Sequence, residues 1–272
     1  MADPADLKTI TVNGAMFHYI EQGAGQAVVF VHGALESYDT WLGQIEPFSH
    51  QFRVVSYSRR YHFPNPWTGD GTDYTVSRHA DDLIALIETL GLAPAHGVGL
   101  SFGAQVVMLA AIRCPDLFGK IVLDEPLLLS WLQEIPGGQE DVDNFITNTR
   151  LAARDAFRKG EMEEGVRIFV DGVLGKGGFD RLPVAIQAAA MRNAPELQAE
   201  TAMPEEVYHT KISVQEVEGL RVPTLLVSSE ISPRMFHRVS DRLAQALPVA
   251  QRAVIPGVSH NAHNANPPEF NR

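Results

Sequence analysis

The chain has 272 residues, of which 45% are hydrophobic and 20% charged, with a formal net charge of −11 at pH 7. That is enough to build the core of one large globular domain. The acidic balance argues against a nucleic-acid or anionic-membrane partner, because such surfaces draw their affinity from Lys and Arg. No apolar run approaches the roughly 20 residues of a membrane-spanning helix, and a single cysteine, Cys114, excludes an internal disulfide and a cysteine-based metal cluster. Cys114 precedes Pro115 in a helical run and is expected to serve as a buried small hydrophobe. The start of the chain, Met1 to Lys8, carries acidic residues and no apolar signal region, so a cytoplasmic location is expected. The expected partner is a small molecule.

Along the chain, Thr9–Val12 and Met16–Ile20 alternate in polarity around Asn13-Gly14, the strongest hairpin dipeptide. Ala27–Val31 is continuously apolar, as in a strand buried on both faces, and ends at His32-Gly33-Ala34. A crossover helix is expected from Trp41 to Phe48 and a fourth strand over Phe52–Tyr57. Apolar residues at 76, 80, 83, 84, 87 and 90 give a helix that stops at Gly91. A fifth strand leads into Gly99-Leu100-Ser101-Phe102-Gly103, a helix runs from Gln105 to Pro115, and Lys120–Asp124 reads as a sixth strand. From Pro126 to Gly219 the pattern is helical and broken by Pro and Gly. Strands resume at Val222–Ser228 and Gln251–Ile255, with a helix between them. The alternation predicts a doubly wound α/β sheet, with a core of residues 1–125 and 220–272 and a helical cap of residues 126–219.

The Gly-x-Ser-x-Gly pentapeptide sits between a strand and a helix. Such a turn leaves little room for flanking side chains and holds its serine strained and exposed, so Ser101 is a candidate nucleophile. The order of His32-Gly33, Gly99–Gly103 and Pro256-Gly257-Val258-Ser259-His260 resembles the α/β-hydrolase superfamily over essentially the whole chain. The resemblance implies a mostly parallel eight-stranded sheet with the cap inserted after the sixth strand. It also implies a serine hydrolase that needs no cofactor and no metal. His260 is then the base, with His263 as its competitor. The oxyanion donors are the backbone amides of Ala34 and Phe102, and His32 braces its loop.

The acid departs from the superfamily's commonest pattern. The usual aspartate follows the seventh strand, where this chain has Ser232 in Ser229-Glu230-Ile231-Ser232-Pro233. Some members place the acid after the sixth strand, and Asp124-Glu125-Pro126 stands there. Glu125 is favoured over Asp124 and Glu230, because Pro126 biases it to an extended conformation and because lactone-cleaving members look similar at this point. Both carboxylates capping the first cap helix is the other reading.

The implied activity is cleavage of an ester or lactone. Carbon-carbon bond hydrolysis, cofactor-independent oxygenation and a slow-turnover receptor-like binding protein are the alternatives. Haloalkane dehalogenases and epoxide hydrolases attack with a carboxylate, so Ser101 disfavours those activities. Leu35, Trp41, Phe102 and Trp131 are candidate pocket residues. Arg59-Arg60 reads as a turn anchored by arginine, with binding of a substrate carboxylate as its rival role. The stretch from Asn266 to Arg272 looks like the start of a last helix.

Overall fold

The computed structural model describes residues 7–208 and 211–272. The acidic start read for targeting therefore lies, through residue 6, outside the described residues. The hairpin forms as the sequence predicts. β1 (Lys8–Val12) and β2 (Ala15–Gln22) pair antiparallel, and Asn13 and Gly14 turn the chain at positive φ of 47° and 72°, the backbone that a tight hairpin requires. β3 (Ala27–Val31) is buried at every position. A short 3₁₀ turn leads into α1 (Leu42–Ser49), then β4 (Arg53–Tyr57), α2 (Val76–Thr89), β5 (Ala95–Leu100), α3 (Phe102–Arg113) and β6 (Phe118–Asp124).

The next stretch of described chain is helical. It comprises α4 (Leu129–Gln133), α5 (Gly138–Phe145), a π-helical turn at Ile146–Leu151, α6 (Ala152–Arg158), α7 (Met162–Leu174) and α8 (Gly178–Arg181). α9 (Val184–Arg192), α10 (Ala194–Ala202), α11 (Glu205–Tyr208) and α12 (Val214–Gly219) complete it. β7 (Thr224–Ser229), α13 (Arg234–Ala246), β8 (Ala250–Ile255) and two single turns, α14 (Ala262–Ala265) and α15 (Pro267–Phe270), close the fold. Among the described residues no helix is long and apolar enough to cross a membrane.

The eight strands form one sheet in the order β1-β2-β4-β3-β5-β6-β7-β8. From β4 to β8 every neighbour is parallel, and the hairpin joins antiparallel through β2. A parallel sheet needs cover on both faces, and β3 shows how it gets it. Val29 and Val31 face a core shared with α2 and α3, while Val28 and Phe30 face Trp41 and Ile45 of the α1 side. Each such side chain contributes about 1.5–3 kcal/mol on burial.

Two side-chain expectations fail here. Trp41 is fully buried on the α1 face, 5.0 Å from Phe30 and 4.9 Å from His263 between ring centroids, so it fills a core and lines no pocket. Cys114 is half-buried at the end of α3, because the helix stops there and leaves the side chain at its rim.

Candidate active site

β5 delivers the chain to Ser101 at φ 53° and ψ −115°, a left-handed conformation that strains any residue with a Cβ. The Ser101 N–H donates to the Asp124 carbonyl at 2.8 Å, fastening the turn to the end of β6. The flanking glycines are obligatory for steric reasons. A Cβ on Gly99 would overlap the backbone of Gly103 and Ala104, and one on Gly103 would overlap the carbonyls of Val31 and His32. Phe102 opens α3, so its N–H has no intrahelical acceptor.

His260 arrives from β8 through the Pro256-Gly257 turn. Its Nδ1 lies 2.7 Å from Glu125 Oε2, and Phe236 stacks on the imidazole with centroids 3.9 Å apart and planes 17° off parallel. Nε2 of the same ring is buried and makes no hydrogen bond among the described residues. An imidazole that donates Nδ1–H to a carboxylate keeps a lone pair on Nε2.

Glu125 is fully buried and carries three donors. The Ser229 N–H reaches Oε1 at 2.8 Å, while Ser232 Oγ at 2.8 Å and His260 Nδ1 both reach Oε2. The expected reason for choosing Glu125 does not hold. Its φ is +46° rather than extended, because the chain leaves the sheet sharply after the Glu125 N–H has paired with Val227 O at 3.2 Å. That bend aims the side chain across the end of β7.

The competing residues are elsewhere. Glu230 Oε2 accepts from the Gly257 N–H at 2.7 Å and so braces the turn that carries His260. Asp124 is buried with neither carboxyl oxygen hydrogen-bonded among the described residues. Burial first, then the neighbouring Glu125 and Glu36, push its pKa well above the usual carboxylate range. Neither Asp124 nor Glu125 caps α4, which has no side-chain cap. His263 is packed on Trp41, 3.5 Å from Glu36 Oε1.

Ser101 stands where two cavities meet. The larger, about 350 Å³, is bounded by Ala34, Leu35 and His260 on the core side and by Phe169, Val173 and Ile186 opposite. The smaller, about 40 Å³, shares Phe169 and Val173 with it and is otherwise walled mostly by apolar side chains such as Phe102, Leu127 and Phe145, with Gln105, Glu200 and Tyr208 as its polar members. Leu35 and Phe102 thus line cavities as expected. Trp131 does not: it is buried against other helices and donates Nε1–H to Ile212 O at 2.7 Å.

The loop after β3 is held from two sides by groups whose partners the sequence does not reveal. Arg59, fully buried, donates from Nε to His32 O at 3.0 Å and from a terminal nitrogen to Gly33 O at 2.9 Å, with its guanidinium 4.4 Å above the Phe102 ring. His32 braces the same loop, with Nδ1 2.8 Å from Gly33 O and Nε2 accepting the Arg59 N–H at 2.9 Å. Arg60 is paired with Asp82 at 2.7 Å. Both arginines are therefore structural.

From α10, Glu196 accepts the Leu35 N–H at Oε1 and the Tyr74 hydroxyl, at 2.7 Å, at Oε2. Burial pushes the Glu196 carboxyl up to about 7 against the opposing pull of Arg59. Burial, with the nearby Glu196 charge, pushes Glu200 up to about 8.

Known proteins can be set beside this geometry. An uncharacterized hydrolase, YraK, of Bacillus subtilis is 28% identical over 57% of this chain and 58% of its own length. An epoxide hydrolase of Caballeronia sordidicola is 34% identical over 40% of this chain and 33% of its own. The chain thus matches less than two thirds of each of these relatives. A solved N-acyl homoserine lactone degrading enzyme superposes over 97% of both chains with a TM-score of 0.74 at 24% identity, a likeness of fold. The family described as alpha/beta hydrolase fold matches residues 26–267, and the chain belongs to that family.

Proposed function

We propose that the protein is a serine hydrolase that cleaves a carboxylic ester or lactone through an acyl-enzyme. The observation that carries this reading is the His260–Glu125 pair, in which Nε2 is left unpartnered among the described residues and His260 lines the same cavity as Ser101. Ser101 Oγ attacks the carbonyl carbon while Nε2 takes its proton. The resulting imidazolium donates two N–H bonds, one of them to Glu125, whose charge stabilises it. The amides of Ala34 and Phe102 receive the developing oxyanion. The carbon-oxygen bond to the alcohol then breaks, and Nε2 returns the proton to the departing oxygen. Water repeats the sequence on the acyl-serine, losing its proton to Nε2 and releasing the acid as Ser101 regains its hydrogen. Every proton is carried by groups of this chain.

Residues 126–219 act as a cap in this reading. Phe169, Val173 and Ile186 supply an apolar roof, and a volume of about 350 Å³ suits a small-molecule substrate. The partial likeness to an epoxide hydrolase does not extend the proposal to epoxides, because the residue at the turn is a serine rather than a carboxylate. The test combines an active-site-directed fluorophosphonate with a pre-steady-state aryl acetate assay. Labelling at Ser101, lost in Ser101→Ala, together with a burst of phenol is the expected result. An unlabelled protein with no burst would overturn the reading.

A further inference from the structure

The two cavities that meet at Ser101 differ in size, and only one of them is lined by His260. If His260 returns a proton to the departing alcohol, the alcohol half of an ester lies on the His260 side, in the larger apolar cavity. The acyl half is left with the smaller cavity. Its 40 Å³ is about three times what one water needs, so an acyl group has room for about two or three non-hydrogen atoms beyond the carbonyl.

This small cavity contains an unmet hydrogen-bonding group. Glu200 is 3% exposed and borders the cavity beside Tyr208 and Gln105. Its Oε2 makes no hydrogen bond among the described residues. An orphaned buried carboxyl oxygen on a residue that lines a cavity next to the reacting serine is costly unless something else pairs with it.

We propose that the small cavity is an acyl subsite, mostly apolar with one polar wall, in which Glu200 Oε2 hydrogen-bonds a hydroxyl on a short acyl group. The substrate class is an ester of a short hydroxy acid with a bulky apolar or aryl alcohol. This inference rests on the serine-hydrolase reading and narrows it. Glu200 acts as a specificity residue that touches substrate. Its carboxyl, raised to about 8 by burial and by Glu196, is mostly protonated at pH 7, and a neutral carboxyl offers a hydroxyl both a donor and an acceptor.

The test compares 2-naphthyl glycolate, propionate and octanoate, with each kcat/KM divided by the ester's hydroxide-catalysed rate. Glycolyl and propionyl differ only in a hydroxyl replacing a methyl. Leaving a buried polar group unpaired costs on the order of tenfold, so glycolate should exceed propionate by about tenfold, with octanoate poorest. Glu200→Leu should bring the first ratio to about one, and Glu200→Gln, whose amide still bonds a hydroxyl, should keep part of it. A wild-type ratio near one, or a ratio unchanged in Glu200→Leu, overturns the subsite. The wild-type ratio decides alone if the leucine variant does not fold. Fluorophosphonate labelling at Ser101 separates the two levels. Labelling with a ratio of one removes the subsite and leaves the hydrolase, whereas no labelling and no turnover removes both.

Discussion

Replacing Glu125 by Gln keeps the size of the side chain and inverts part of its hydrogen bonding. In the native arrangement Oε1 accepts from the Ser229 N–H and Oε2 from His260 Nδ1 and Ser232 Oγ. The backbone N–H of Ser229 can only donate, so the glutamine must turn its carbonyl oxygen toward Ser229 and its NH₂ toward His260. Nδ1 is then forced to accept, the ring proton moves to Nε2, and the nitrogen facing Ser101 loses the lone pair needed to take a proton. A triad held in the wrong tautomer loses about 10³–10⁴ in kcat, equivalent to roughly 4–5 kcal/mol of barrier. The assay is steady-state hydrolysis of an aryl acetate, with thermal unfolding followed by circular dichroism to show that the fold persists. Glu230→Gln should lose far less, since an amide oxygen still accepts the Gly257 N–H. Near-normal turnover in Glu125→Gln beside an inactive Glu230→Gln would refute the assignment of the acid.

Further outcomes follow from the same geometry. Glu196→Leu frees the Leu35 N–H and unfastens α10 from the oxyanion loop, so kcat should fall by about tenfold with a smaller change in KM, as expected for a positioning role; equal effects on both parameters would contradict it. Stability should decrease as pH rises from about 6.5 to 8, above the range in which the buried histidines His32, His62 and His79, whose pKa values burial lowers, give the opposite slope. Glu196 and Glu200 have folded pKa values raised to about 7 and about 8, so above an unfolded pKa near 4.3 the unfolded chain releases protons that the folded chain retains. The decline from these two groups should be on the order of 2 kcal/mol, and urea titrations across that range should show it flattened in Glu200→Gln. The double variant Glu125→Ala, Ser232→Asp should regain at least tenfold over Glu125→Ala alone in the same aryl acetate assay. No recovery would mean that position 232 cannot present a carboxylate to His260.

The sheet was legible because its signals are local. The apolar run Ala27–Val31, the Asn13-Gly14 turn and the glycines at 99 and 103 each act through their own backbone or nearest neighbours. The strand edges and the elbow follow from them. What the sequence hides depends on partners far along the chain. Glu196 and Glu200 stand four apart on α10, a spacing at which like charges disfavour a helix. Glu196 meets Tyr74, His62 and Arg59, all more than 120 positions away, and Glu200 meets Arg59 and Arg150 as well as the nearer Tyr208. That repulsive spacing, together with the unusual Arg59-Arg60 pair, was the available signal. Trp41 misled for a related reason. An aromatic on the loop after a strand can pack on either face of the sheet, and here the 3₁₀ turn leading into α1 sets Trp41 on the face opposite α3, against Phe30.

In the proposed triad, the position of the acid follows from the sheet itself. β6 and β7 are parallel neighbours with Asp124 opposite Val227, and adjacent strands lie about 4.8 Å apart. A carboxylate leaving the end of either strand therefore starts within one strand spacing of the same imidazole. Moving it from β7 to β6 must be offset by reach, and three features provide it: the extra methylene of Glu over Asp, the bend at φ +46°, and anchoring by the Ser229 N–H at the end of β7. The serine at 232 then has a defined use. It stands where relatives usually carry the acid and donates to the acid that replaces it, so the departure from the common pattern is one exchange made at two positions. A carboxylate at both places would set two buried like charges against each other, the same kind of opposition that, after burial, raises the pKa of Asp124 beside Glu125 and Glu36. A hydroxyl at 232 avoids that repulsion and adds a hydrogen bond to the charge that holds His260.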